Sequence, residues 1–181
     1  MKLILRGAAA GLAIATLAVA GSASAATTAS ADATAQILTA LSVTVDATAS
    51  TLDFGQLADG GISAPVNLTV KPDGTAGACP LSVVCSGAVK APNFNVQGLG
   101  GKLVGISFVN ATETLSYTGT PPTGFLSTMN VGSFKTSAVA NQVTLSGTGA
   151  ASFTVGGTLT MSRNQAPGTY AGTVSVNVAY N

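Results

Sequence analysis

Along most of this chain apolar and polar residues alternate with a period of two. At the C-terminus Tyr170, Gly172, Val174, Val176, Val178 and Tyr180 fall on one side of an extended backbone, and Ala171, Thr173, Ser175, Asn177 and Ala179 fall on the other. Successive side chains of a strand point to opposite faces, so the pattern predicts one C-terminal strand with an apolar face. The same reading fits Val66, Leu68 and Val70, then Val104, Ile106 and Phe108, then Phe153, Val155, Leu159 and Met161. Shorter candidates surround Leu52 and Phe54, Phe94 and Val96, Leu115 and Tyr117, Met129 and Val131, and Val143 and Leu145. Turn residues separate them at Asp59-Gly60-Gly61, Pro72-Asp73-Gly74, Gly98 to Gly101, Pro121-Pro122, Gly147 to Gly149 and Ala166-Pro167-Gly168. Many short strands with regular punctuation and no helical period predict an all-β sandwich or barrel.

The N-terminal stretch carries the longest alternation. Apolar residues hold the odd positions Ala29, Ala31, Ala33, Ala35, Ile37, Leu41, Val43, Val45 and Ala47, broken only by Thr39. Extended, residues 29–47 would reach about 60 Å, whereas strands in sandwiches run to fewer than about ten residues. One domain cannot use that length as a single straight strand, so part of it is expected to leave the domain. Leu38 and Ala40 put apolar groups on the otherwise polar face where a bend is needed. This divides the stretch into an N-terminal extension, residues 26–40, whose tail runs from about Ala26 to Leu38, and a sandwich domain, residues 41–181, opening with a strand from Leu41 to Ala47.

The first 25 residues change the picture of where such a domain works. A basic start (Lys2, Arg6), an apolar run from Gly7 to Gly21 and the small residues Ala23-Ser24-Ala25 make the three-part layout of a secretory signal peptide. The run is shorter than the roughly 20 residues that span a bilayer, and no second one follows, so no membrane span is expected after cleavage. No cysteine stands at the cleavage site and no apolar tail ends the chain, so no lipid anchor is indicated. The mature chain is expected outside the cytoplasm, in the periplasm in transit and then on the cell surface or secreted. It holds five basic residues (Lys71, Lys90, Lys102, Lys135, Arg163) against six acidic ones, a net charge of −1. That balance offers no patch to draw nucleic acid. Charged residues are 7% of the sequence against about a quarter in ordinary globular chains, which suits a surface partly covered in an assembly.

Candidate chemistry is sparse. The chain has no His, which removes the commonest general base and metal ligand and rules out Ser-His-Asp and Cys-His arrangements. Asp32, Asp46, Asp53, Asp59, Asp73 and Glu113 are spread along the sequence, and Asp46, Asp59 and Asp73 sit in turn contexts that explain them without chemistry. A paired-carboxylate site could form only if distant strands brought two together. Gly98-Leu99-Gly100-Gly101-Lys102 lacks the earlier glycine and the following Ser or Thr of a phosphate loop and reads as a turn. Asn67-Leu68-Thr69 and Asn110-Ala111-Thr112 match the glycosylation sequon, a weak pattern. Neither calcium nor zinc spacing occurs, so no metal, no cofactor and no enzymatic activity are expected. Cys79 and Cys85, the only cysteines, are expected to form a structural disulfide in an exported chain; their spacing is not the C-x-x-C of redox pairs.

Several segments together carry a resemblance: Ala33-Thr34-Ala35-Gln36-Ile37, Leu52-Asp53-Phe54-Gly55, Phe153 to Leu159, Ala166-Pro167-Gly168-Thr169-Tyr170 and Val174 to Tyr180. They span nearly the whole mature chain, and on them the sequence resembles the bacterial secreted proteins grouped as domain of unknown function 4402. That group is similar to the spore coat protein U group and, more distantly, to chaperone-usher pilins. The resemblance implies an immunoglobulin-like, pilin-like sandwich that lacks a strand. Its groove would be filled first by a periplasmic chaperone at an outer-membrane usher and then by the N-terminal extension of the next subunit. It implies a donor strand on Ala29, Ala31, Ala33, Ala35 and Ile37, and a C-terminal assembly strand on Tyr170, Val174, Val176, Val178 and Tyr180. Tyr180 before Asn181 matches the penultimate aromatic of such strands. The expected function is therefore a fibre subunit for attachment or biofilm, polymerised head to tail with itself. The alternative is a monomeric secreted binding module for a carbohydrate or surface partner, with the tail folded back on its own domain.

Overall fold

In the computed structural model, which describes residues 28–181, the alternation becomes twelve strands and one short 3-10 turn among the described residues. The strands are β1 (Ser42–Val45), β2 (Gln56–Asp59), β3 (Val66–Val70), β4 (Val83–Ser86), β5 (Asn93–Gln97) and β6 (Leu103–Phe108). They continue as β7 (Thr112–Tyr117), β8 (Thr128–Thr136), β9 (Gln142–Thr144), β10 (Ala150–Met161), β11 (Tyr170–Ala171) and β12 (Val176–Tyr180), with the 3-10 turn at Val139–Asn141. The Gly, Pro and Asp clusters read as turns all lie between strands or at their ends. Asp59 Oδ1 accepts from the N–H of Gly61 and of Ile62, and Asp73 Oδ1 accepts from the N–H and hydroxyl of Thr75. These local bonds offer the backbone an alternative to the ladder and so end the strands there.

The largest sheet runs β1-β5-β10-β8-β7-β11, and a smaller one runs β12-β6-β9. The long strand β10 is the spine: its first half pairs with β5, its second half with β3, and its other edge with β8. Between the two sheets lies the main core of Phe94, Val96, Val104, Ile106, Leu145, Phe153 and Val155, with Val176, Val178 and Tyr180 packed against it. Phe94 and Phe153 are directly opposed across β5 and β10 and stack with ring centroids 5.4 Å apart. Such cross-strand aromatic pairs fix register as well as adding stability. A second cluster of Ile62, Leu68, Val83 and Met161 joins the far half of β10 and β3 to the separate β2–β4 ribbon. A bulge in β8, with Ser133 at φ 49°, shifts its register against β10 by one residue, and just past it Phe134 packs on Phe108 at 5.2 Å. This arrangement is the all-β sandwich that the alternation predicts.

Two sequence expectations are corrected by the backbone. The C-terminal strand is not continuous: Tyr170 lies in β11, at the edge of the large sheet beside β7, residues 172–175 are not in a strand, and only Val176, Val178 and Tyr180 of the predicted face lie in β12 on β6. The chain changes sheets at Gly172, where a Cβ would come within 2.7 Å of both Leu115 Cδ2 and Thr114 O. The first domain strand ends at Val45 and does not reach Ala47. Thr48 donates to Asp46 Oδ1 from both N–H and hydroxyl, and Ala49 N–H donates to Asp46 O, so the chain turns there. Residues Ile37–Asn181 form one unit, and the described part of the preceding stretch, residues 28–36, holds no strand or helix. The expected signal peptide, residues 1–25, lies outside the described residues.

Candidate functional site: an open groove between two strand edges

One groove of the domain follows from which edges stay unpaired. β1 pairs with β5 on one side and with no described strand on the other; β12 likewise pairs only with β6. The chain around Val43–Val45 and the segment 172–176 therefore face each other as two walls, each with a free main-chain edge. Between them opens a groove of about 540 Å³. Its floor is set by Phe94 and Val131, both in the protein interior, and its sides by Val43, Val45, Leu52, Phe54, Leu115, Val174 and Val176. No charged side chain lines it. Val45 is 45% exposed although its neighbours are apolar, and Val174 and Val176 are half-buried, as expected of residues whose covering strand is missing.

Further along β12, outside the residues that line the groove, Tyr180 makes a latch. Its hydroxyl accepts from the N–H of Leu99 at 2.6 Å and donates to the carbonyl of Thr39 at 2.9 Å. That one oxygen ties the C-terminal strand to the β5–β6 turn and to the chain leading into β1. Gly98 leaves the space: a Cβ there would fall on the Tyr180 hydroxyl and come within 2.8 Å of Leu41 Cδ1 and 3.0 Å of Leu145 Cδ1. Ser50 to Leu52 and residues 172–174 also line the groove.

The remaining residues singled out in the sequence divide clearly. Val174 and Val176 line the groove, Val178 and Tyr180 continue along β12 against the main core, and Tyr170 is drawn off to the opposite sheet. There its ring meets Tyr117 edge to face at 5.5 Å, and its hydroxyl lies 2.9 Å from Ala166 O and 3.0 Å from Leu126 O, where it pins two loops. Cys79 and Cys85 form a disulfide, with Cα atoms 6.2 Å apart, that braces the loop leading into β4. Ala29, Ala31, Ala33 and Ala35 lie in the stretch without strands, and Ile37 is 96% exposed. Asp46 is held below its usual carboxyl range by the Thr48 hydroxyl and then its N–H. Asp59 is lowered by the N–H groups of Ile62 and Gly61, and Asp73 by the hydroxyl and then the N–H of Thr75. Each is a turn carboxylate. Among the described residues no cluster of His, Cys, Asp and Glu could hold a metal ion. The walls contributed by Leu52, Phe54 and Leu115 were not legible as site residues, because strand periodicity does not report which edges meet.

An all-β sandwich with a disulfide-braced ribbon and an uncharged groove, apolar on its floor, between β1 and the segment leading into β12 is the class of protein that fold and site define. The chain belongs to the family described as domain of unknown function DUF4402, which matches residues 41–180. None of the curated proteins and none of the solved structures matches it. No described helix is long and apolar enough to cross a membrane.

Proposed function

We propose that this chain is a structural subunit of a bacterial surface fibre, in which the groove of one subunit takes the N-terminal extension of the next. The single observation that carries the reading is the groove itself, apolar on its floor and bounded by the unpaired edge of β1 and by the segment that leads into β12. An extended segment adds main-chain hydrogen bonds along such an edge and fills pockets with alternate side chains. The extension supplies the matching pattern, with small apolar residues at alternate positions leading to Ile37. Giving a tail to one neighbour and taking a tail from the other is a heterologous contact that does not close, so it builds a filament. An exported subunit with an open apolar groove is also prone to wrong pairing. A periplasmic chaperone that covers the groove and an outer-membrane usher that passes the subunit outward are the partners this implies. The fibre would act at the cell surface in attachment or biofilm, with no catalysis of its own.

The competing role, a monomeric module for carbohydrate, has less behind it. Sugar sites commonly use a free aromatic face, and the three tyrosines are committed: Tyr117 and Tyr170 to each other and to loop carbonyls, Tyr180 to Thr39 and Leu99. The deciding experiment compares boiled and unboiled surface-sheared material on a denaturing gel probed for this chain. A ladder that collapses to one band on boiling, and that disappears when residues 26–38 are deleted, is the expected result. A single monomer band in both lanes would reject the fibre reading in favour of the monomeric module.

A further inference from the structure

We infer that the segment a second copy donates is Ala33–Ile37, and that Tyr180 fixes this limit; the inference rests on the fibre reading above and deepens it. The groove's C-terminal wall is residues 172–176, and further along the same strand Tyr180 tethers Thr39 through its carbonyl. Five extended residues span about 16 Å and turn alternate side chains to one face, so the groove takes three inward-facing side chains. The extension offers few windows of that length. Thr39 is held through its carbonyl by Tyr180 of its own subunit, and Leu41 packs on its own core, so residues from Thr39 onward cannot leave. A window further upstream, such as Ala29 to Ala33, presents only methyl groups, each burying much less apolar area than Ile. Ile37 is the one bulky side chain on the alternating face, and it is 96% exposed in the free chain. Ala33-Thr34-Ala35-Gln36-Ile37 alone brings it inward without disturbing Thr39, and it turns the polar Thr34 and Gln36 outward. Only Leu38 then links a donated Ile37 to a tethered Thr39. Cα atoms two residues apart are separated by about 7 Å at most, so neighbouring subunits abut and the fibre is stiff.

The test uses the full chain exported by its host, with polymers read as the unboiled ladder and folding read by thermal melting of purified monomer. Ile37→Ala is expected to lower the polymer fraction about tenfold or more, Ile37→Leu to restore it, and Ala35→Asp to abolish it. Ala29→Asp, outside the window, is expected to leave the ladder unchanged. All four monomers are expected to melt with the wild type, because Ile37 is exposed and the alanines precede the folded unit. If Ala29→Asp is as damaging as Ala35→Asp, or if Ile37→Ala polymerises normally, the window is wrong while the fibre reading stands. A wild-type chain that never polymerises removes the fibre reading and this inference with it.

Discussion

Replacing Tyr180 with Phe removes the one oxygen that latches β12 to the chain leading into β1 and leaves the ring in place. The lost oxygen accepts from Leu99 N–H at 2.6 Å and donates to Thr39 O at 2.9 Å. An intramolecular hydrogen bond contributes about 0.5–1.5 kcal/mol net, so the pair accounts for about 1–3 kcal/mol of unfolding free energy. For a domain of this size the melting temperature should fall by roughly 3–10 °C. A second perturbation tests whether the oxygen itself is the cause. Gly98→Ala drives a methyl onto the Tyr180 hydroxyl and against Leu41 and Leu145, and overpacking of that kind costs about 1–3 kcal/mol. In the double variant the methyl meets no oxygen, so the two losses should be less than additive, by more than the roughly 0.5 kcal/mol scatter seen for independent sites. Urea unfolding at neutral pH measures all four chains, and the midpoints should move at constant slope. The Leu99 amide should also exchange faster in Tyr180→Phe. Strict additivity, with Leu99 exchange unchanged, would refute the latch and would leave Tyr180 as a packing residue only.

Three further outcomes are expected. Replacing Cys79 and Cys85 by Ser should cost about 2 kcal/mol by loop-closure entropy; faster amide exchange should be confined to the β2–β4 ribbon they brace, as hydrogen exchange would map. Phe153→Ala, which empties a 2% exposed site and unstacks Phe94, should cost about 3–5 kcal/mol in the same urea assay. Stability should be level from about pH 5 to 8, since no imidazole titrates there. It should fall as pH drops through 3.8 and below: Asp46, Asp59 and Asp73 are held below that usual value by hydrogen bonds of the folded chain, so the unfolded chain takes up their protons first. Urea midpoints at pH 7, 5 and 3 check it, and Asp59→Asn should shallow the acid slope.

How much of this was legible in the sequence depends on whether the information is local. Period two is local, and it correctly placed Leu68 and Val70, Val104 and Ile106, and Phe153, Val155, Leu159 and Met161 on buried faces. Turn chemistry is local too, and Asp59 and Asp73 make the bonds to the next two or three residues that stop a strand. Strand partners are not local. β1 reaches β5 and β12 reaches β6 across long stretches of chain, so the unpaired edges that make the groove are set by which strands fail to meet. Alternation alone made residues 170–180 one strand, because a chain that crosses from one sheet to the other keeps its in-and-out pattern while changing partners.

One residue did carry a local sign of the crossing. On a face otherwise made of Val and Tyr, Gly172 stands where any side chain would strike Leu115, and a glycine inside a strand pattern marks a close backbone approach. The groove begins at that same glycine, since the segment that leaves β7 there has not yet joined β6 and so walls an unpaired gap. Sheet switching and the open groove are thus one event. A sandwich whose last strand stayed with β7 through residue 180 would leave β6 uncovered and place Tyr180 far from Thr39. The change of partner at Gly172 therefore leaves the groove's wall unpaired, and the continued alternation to Tyr180 delivers the hydroxyl that holds Thr39 at the entry to β1.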